Sequence, residues 1–249
     1  MYKKCLISSF EDLKAGYFVI KIKDTALAQL CEAGQFFNLG CSEASVPRLK
    51  KPISIYEVKD DEISFMIKRV GNGTEFLSQL MVGDSIDVLG PLGNAFPILA
   101  GKKALLISGG VGYPPMVYLG TKLKKELITH LHGGRSKEDI FLCDIAYTED
   151  GSVGAKGFVT ADLERIINEK QVDVIYTCGP DAMMKAVGKI AMKLGVECYL
   201  SLEEYMACGL GACYGCAVAM KANNDQGFVY KRVCKDGPIF EINELKLED

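Results

Sequence analysis

Ala104-Leu-Leu-Ile-Ser-Gly-Gly-Val-Gly-Tyr-Pro-Pro115 is the stretch on which the fold turns. A short apolar strand, Ala104–Ser108, runs straight into Gly109, Gly110 and Gly112 and then into an amphipathic segment expected to be helical to about Leu127. Glycines at such a turn let the backbone bend tightly and bring N–H groups close to a pyrophosphate, with the positive end of the following helix beneath it. Pro114 and Pro115 suit a first helical turn, where a missing N–H costs nothing. The run departs from the G-x-G-x-x-G pattern, because Pro115 takes the third small-residue position. These residues alone therefore read equally as a structural turn or a dinucleotide site.

Downstream the alternation continues. Ile140–Tyr147 is expected as a strand, Ala161–Asn168 as a helix, Val172–Cys178 as a strand, Ala182–Leu194 as a helix and Val196–Leu200 as a strand. That rhythm predicts a doubly wound, parallel α/β domain over residues 99–200, with ligands at the carboxyl ends of its strands. Cys178-Gly179-Pro180 forms a second loop at that same end and favours the dinucleotide reading.

Upstream, residues 1–98 read as all-β. Tyr17–Ile22, Phe36–Leu39, Ile63–Val70 and Ser85–Leu89 are short β-prone runs separated by Gly, Pro and Asp/Asn turns, the pattern of a small barrel. One helix is expected over Thr74–Met81. Lys51-Pro52-Ile53-Ser54 places a cation beside a hydroxyl on one strand, which suits a flavin: the cation for a phosphate, Ser54 for the ring edge. Standing alone, the same residues would be a solvated lysine and a strand-end proline. Gly71-Asn-Gly73-Thr74 opens the expected helix, so its N–H groups could take part of the same pyrophosphate.

Residues 201–249 carry Cys208, Cys213, Cys216 and Cys234, spaced C-x4-C-x2-C with the last after a 17-residue gap. Thiolates at this spacing can wrap a loop around a [2Fe-2S] cluster and close its fourth position from a distant element. Gly209, Gly211, Ala212 and Gly215 let the backbone approach the cluster and aim N–H groups at its sulfurs. A structural zinc is the alternative, although zinc ribbons usually pair two C-x2-C knuckles and only one is present. The segment ends in a short acidic tail.

The formal charge of −3 gives no basic excess for nucleic acid, and no apolar run approaches the roughly 18 residues of a membrane span. Ten cysteines without an apolar leader segment predict a reducing, cytoplasmic setting and cofactor ligation rather than disulfides. The two histidines, His130 and His132, sit at alternating strand positions and read as structural. No G-x-S-x-G, H-E-x-x-H or Walker A sequence occurs. Hydride and electron transfer need none of these, since cofactors carry the chemistry.

In order and wording these motifs resemble the electron-transfer subunits of class 1B dihydroorotate dehydrogenases, within the ferredoxin reductase superfamily. The marks are Lys-Pro-Ile-Ser at 51–54, Gly73-Thr74, Asp87-Val-Leu-Gly-Pro-Leu-Gly-Asn94, the glycine turn at 109–112, Asp150-Gly-Ser-Val-Gly154, Cys178-Gly-Pro180, and Ser201-Leu-Glu-Glu204 leading into Met206-Ala-Cys-Gly-Leu-Gly-Ala-Cys213. The resemblance implies a β-barrel FAD domain, an α/β NAD domain and a C-terminal [2Fe-2S] segment. It also implies a partner, an FMN-containing dihydroorotate dehydrogenase catalytic subunit, in a heterotetramer of two plus two serving pyrimidine biosynthesis. Electrons would run from FMN through the cluster and FAD to NAD. By resemblance Lys51, Pro52, Ile53, Ser54, Ile67, Lys68, Arg69, Gly73 and Thr74 line the FAD, with Ser54 nearest the reacting ring. Gly109, Gly110, Gly112, Cys178, Gly179 and Pro180 seat the dinucleotide, and the four cysteines hold the cluster. Two positions depart from the family pattern: Lys51 stands where Arg is general, and Tyr205 where a basic residue is common. A related reductase serving a glutamate synthase-like or ferredoxin-linked partner is the nearest alternative, and a non-enzymatic zinc-binding module the more distant one.

Overall fold

The computed structural model describes residues 1–41 and 49–246, so the end of the acidic tail, 247–249, lies outside the described residues. The first half comprises β1 (Tyr2–Asp12), β2 (Tyr17–Lys23), α1 (Thr25–Ala28), β3 (Phe36–Leu39), β4 (Lys51–Ser54), β5 (Glu57–Lys59), β6 (Glu62–Lys68), α2 (Asn72–Ser78) and β7 (Ser85–Leu92). Among the described residues its strands form one curled antiparallel sheet, a half-barrel ordered β4-β3-β7-β1-β2-β6-β5. β1, absent from the sequence expectations, is its central strand, because its polar outer residues dilute the apolar alternation of Cys5 and Ile7.

The continuous apolar run of β2 follows from burial on both faces. Phe18, Ile20 and Ile22 point into the half-barrel with Ile63, Phe65 and Ile67 of β6. Tyr17 and Val19 point the other way and, with Met66, pack on Tyr113 from the second half. Phe37 meets Phe65 edge to face at 5.4 Å in the centre of the inner layer.

The second half comprises β8 (Ala104–Gly109), α3 (Tyr113–Gly120), β9 (Ile128–Gly134), β10 (Ile145–Thr148), β11 (Ala155–Lys156), α4 (Leu163–Lys170), β12 (Val174–Cys178), α5 (Asp181–Leu194) and β13 (Glu197–Ser201). It continues through β14 (Ala217–Lys221), β15 (Phe228–Arg232), α6 (Val233–Asp236) and β16 (Ile239–Glu241). The large sheet runs β11-β10-β9-β8-β12-β13-β16, parallel except for β16, while β14 and β15 make a separate hairpin. α3 packs toward the half-barrel, where the Tyr118 hydroxyl donates to the Cys31 carbonyl at 3.0 Å. α4 and α5 cover the opposite face through Leu163, Ile166, Ile167, Met184, Val187 and Ala191. With both faces covered, every residue of β8 and β12 is buried.

Two expectations shift. The helix expected to reach Leu127 stops at Gly120, and a single 3-10 turn at Lys125–Leu127 leads into β9. The strand expected from Ile140 begins only at Ile145. The intervening residues instead cross toward the half-barrel: the Lys14 ammonium donates to the carbonyls of Lys137 and Ile140, and the Tyr113 hydroxyl donates to that of Leu142.

The cysteine segment is fastened twice at β16, beyond its last cysteine. β16 pairs antiparallel with β13. The Asn94 side chain, at the end of the half-barrel, accepts from the Ile239 N–H and donates to the Ile239 carbonyl, both at 2.9 Å. Phe65→Ala removes the ring at the centre of the half-barrel and is expected to cost about 3–5 kcal/mol. Thermal unfolding should then show a midpoint lowered by roughly 10 °C.

Candidate functional site

The strand order of the large sheet reverses between β8 and β12, and the turns that follow these strands lie side by side. A Cβ on Gly112 would collide with the Cys178 carbonyl, and one on Gly179 would come within 2.9 Å of the Gly109 nitrogen. Gly112 and Gly179 thus permit close packing of the two turns, whereas a Cβ on Gly110, at φ +52°, would meet open space. A cleft of about 700 Å3 opens above them. Gly109, Gly110 and Pro180 line it, with Gly134 and Arg135 after β9, Glu149 after β10, and Phe158. Gly112, Cys178 and Gly179 form its buried underside rather than its wall.

A second cleft of about 510 Å3 lies against the half-barrel. Lys51, Pro52, Ile53 and Ser54 of β4, Ile67 and Lys68 of β6, and Thr74 of α2 line it. Gly73 sits behind, where a Cβ would strike the stem of Lys51. Arg69 turns away: its guanidinium pairs with Asp12 at 2.8 Å and lies over Phe18. The Thr74 hydroxyl accepts from the N–H groups of Val70 and Gly71, so these two donors are taken within the chain.

Lys68, Val70 and Val111 line both clefts, which therefore adjoin along these three side chains. The far wall of the half-barrel cleft is Ser201–Met206, the lead into the cysteine loop. Glu203 stands in this wall, exposed on its cleft side yet enclosed by protein behind, and burial raises its carboxyl above the usual range. Its Oε1 lies 4.0 Å from the Cys178 sulfur, whose thiol burial pushes well up. Sequence reasoning placed neither Glu203 nor Val111 at a cleft, because nothing local marks a residue that reaches a wall built by a distant strand.

The cysteine loop is shaped by backbone that side chains disfavour: Gly209 at φ +67°, Gly211 at +78° and Tyr214 at +57°. This turns N–H groups toward sulfur. Leu210 donates to Cys208 at 3.4 Å, Gly211 to Cys234 at 3.2 Å, Gly215 to Cys213 at 3.4 Å and Cys234 to Cys216 at 3.5 Å. The Leu210 and Cys213 N–H groups draw the Cys208 thiol down to about 6. Burial holds Cys234 up at about 12. The Cys208 thiol also interacts with that of Cys213, and the Cys234 thiol with those of Cys216 and Cys208. Among the described residues no three His, Cys, Asp or Glu side chains close on a single point as an assembled metal site. Arg232, not singled out by sequence, braces the loop: it donates to the Gly211 carbonyl at 2.8 Å, pairs with Asp236 and lies over the Tyr214 ring.

Behind the glycine turn lies a buried polar chain. Ser108 Oγ is 2.8 Å from both His130 Nε2 and His132 Nδ1, and His132 Nε2 is 3.0 Å from the Asp139 carbonyl. A carbonyl only accepts, so His132 carries its proton on Nε2 and Ser108 donates to His132 Nδ1. His130 Nε2–H then completes the chain by donating to Ser108. Burial lowers both histidines, His130 to about 4.

The iron-sulfur cluster binding domain of dihydroorotate dehydrogenase B matches residues 203–246 as a family. The "Dihydroorotate dehydrogenase B (NAD(+)), electron transfer subunit" of Caldanaerobacter subterraneus subsp. tengcongensis is 42% identical, over 85% of this chain and 86% of the relative. That of Bacillus velezensis is 39% identical over 97% of each chain. The chain belongs to this family of electron-transfer subunits. Among solved structures, one of the NADH-dependent reduced ferredoxin-NADP oxidoreductase, studied for flavin-based electron bifurcation, matches with a TM-score of 0.84 and 29% identity over 97% of this chain and 89% of that one. The FAD/NAD-binding domain of the Vibrio cholerae nitric oxide dioxygenase shares the fold, with a TM-score of 0.65 and 21% identity over 78% and 94% of the two chains. The architecture is thus ferredoxin reductase-like, as the sequence implied, and no described helix is long and apolar enough to cross a membrane.

Two outcomes follow from this geometry. A Cβ at Gly209 would collide with the Asn38 side-chain amide while the backbone holds φ +67°. Gly209→Ala is therefore expected to lose most of its bound iron, measured by colorimetric iron analysis, while β3 and the half-barrel stay folded by circular dichroism. His130 titrates near 6.5 when unfolded but near 4 when folded, so the unfolded chain binds more protons between these values and stability falls as pH drops from 6.5 to 4. Urea midpoints measured across that window should decline, and His130→Gln should flatten the decline.

Proposed function

We propose that this chain is the electron-transfer subunit of an NAD-linked dihydroorotate dehydrogenase, docking on an FMN-containing catalytic subunit in a heterotetramer of two plus two and serving pyrimidine biosynthesis in the cytoplasm. In this reading residues 1–98 hold FAD, 99–200 hold NAD and 201–249 hold a [2Fe-2S] cluster. One observation carries it: three candidate sites lie in series. The nucleotide cleft adjoins the half-barrel cleft at Lys68, Val70 and Val111, and the wall of the half-barrel cleft continues from Met206 into Cys208.

The residues fit the groups this assigns. Four thiols, each accepting from a backbone N–H, suit a two-iron cluster, whose sulfur environment is tuned by such donors. Lys51 presents an ammonium to the half-barrel cleft for a flavin phosphate, and Ser54 a hydroxyl to the ring edge. Gly109 and Gly110 offer close-approach backbone to a pyrophosphate, with Pro180 on the nicotinamide side. When bound, the flavin supplies the exchange between two-electron nicotinamide chemistry and one-electron cluster chemistry. The protein binds, aligns and shields; Tyr205, Leu210 and Tyr214, exposed by 94%, 58% and 56%, give the cysteine loop an apolar rim for a partner. The described cysteines are free thiols, in keeping with a reducing compartment.

A second reading, a reductase serving a ferredoxin-linked partner, draws on the 29% identity to the ferredoxin-NADP oxidoreductase. Anaerobic visible spectroscopy with iron, zinc and flavin analysis should find near two irons and one FAD per chain, bleached by NADH. The isolated chain should reduce dyes with NADH but leave dihydroorotate untouched. Addition of an FMN-bearing partner that restores orotate formation selects the first reading, restored ferredoxin reduction the second, and zinc without flavin discards both.

A further inference from the structure

Lys68 ends β6 at the border shared by the two clefts, with its ammonium 2.7 Å from Asp139 Oδ1 and 4.7 Å from the centre of the Tyr17 ring. Asp139 lines the nucleotide cleft and belongs to the segment that crosses from the large sheet to the half-barrel. The two members of this ion pair are held very differently.

Asp139 is fixed from behind. The His130–Ser108–His132 chain ends by donating to its carbonyl, the Arg135 N–H points at its other carboxylate oxygen at 3.4 Å, and Lys14 clamps the carbonyls of Lys137 and Ile140 on either side. Its side chain is 13% exposed, that of Lys68 29%. Lys68 carries its charge on a flexible four-carbon stem with freely rotating donors. A built-in anion therefore faces a cation that can move.

We propose that Asp139 is a positioning residue that competes with the bound dinucleotide for Lys68. A pyrophosphate in the nucleotide cleft brings a second anion within reach of the same ammonium. Whatever fraction of time Lys68 spends on Asp139 is subtracted from phosphate binding, and the observed affinity falls by that fraction. Asp139 also places a like charge beside the phosphates. The fixed carboxylate thus holds dinucleotide affinity down, favouring release of the spent cofactor, and returns Lys68 to the border between the clefts when the nucleotide leaves.

This inference rests on the proposed dinucleotide site and is tested on holoprotein with verified FAD and iron content. Asp139→Asn keeps the side-chain shape and the main-chain carbonyl that His132 uses. Calorimetric titration with NAD should give a Kd lowered about fivefold, equivalent to about 1 kcal/mol for one exposed-to-half-buried charge pair. That gain should shrink as salt is raised. In the NADH-ferricyanide assay KM should fall in parallel without a rise in kcat, and Asp139→Glu should restore the wild-type Kd. Asp139→Ser, smaller and uncharged, should shift the Kd in the same direction and serves if the Asn variant fails to load flavin. A residue that merely braced the segment would instead weaken NAD binding when neutralised. An unchanged or raised Kd in both uncharged variants, beside normal NAD binding by the wild type, overturns this inference alone. Failure of the wild type to bind NAD overturns it together with the functional reading.

Discussion

The close approach of two strand ends governs the rest of the molecule. β8 and β12 are neighbours where the strand order reverses, and the turns after them pack so tightly that Gly112 has the Cys178 carbonyl where a side chain would begin. Glycine is the residue that allows this contact, and the contact directs the backbone of Gly109 and Gly110 outward into the nucleotide cleft. α3 starts directly from the same turn. Its first residue, Tyr113, reaches the half-barrel beside Tyr17, Val19 and Met66, so one short segment sets both the floor of the cleft and its distance from the neighbouring sheet.

The cysteine segment extends this arrangement rather than hanging from it. β16 completes the edge of the large sheet, and Asn94 ties its backbone to the end of β7 across a sequence separation of 145 residues. The cysteine loop that precedes β16 is braced by Arg232 and by left-handed backbone at Gly209 and Gly211. Amide donors therefore face the cysteine sulfurs, an arrangement that would reduce the reorganisation needed for ligation.

Much of this was legible because it is written locally. Strand, glycine turn and prolines at 104–115 occupy consecutive positions, and so do the three cysteines of the C-x4-C-x2-C run. Lys51 to Ser54 fall together because β4 is the edge strand of the half-barrel and borders the cleft along its length. What stayed hidden depends on contacts between distant residues. Lys68 and Asp139 are 71 positions apart, and Arg232 acts on a carbonyl 21 positions away. The late start of β10 has the same origin, since Lys14 and Tyr113 capture carbonyls that would otherwise have entered the ladder. Arg69 illustrates the converse: beside Lys68 in sequence but just past the end of β6, it lies over Phe18 and pairs with Asp12 rather than lining the cleft.

By itself the sequence determined the two architectures, the glycine turn and the cysteine spacing, because glycine, proline and cysteine constrain backbone or chemistry wherever they stand. Only the tertiary structure decided that the two clefts share Lys68, Val70 and Val111, that Glu203 walls one of them, and that a fixed carboxylate holds the shared lysine. Those features arise where two sheets meet, and the meeting is set by packing between residues that no local pattern connects.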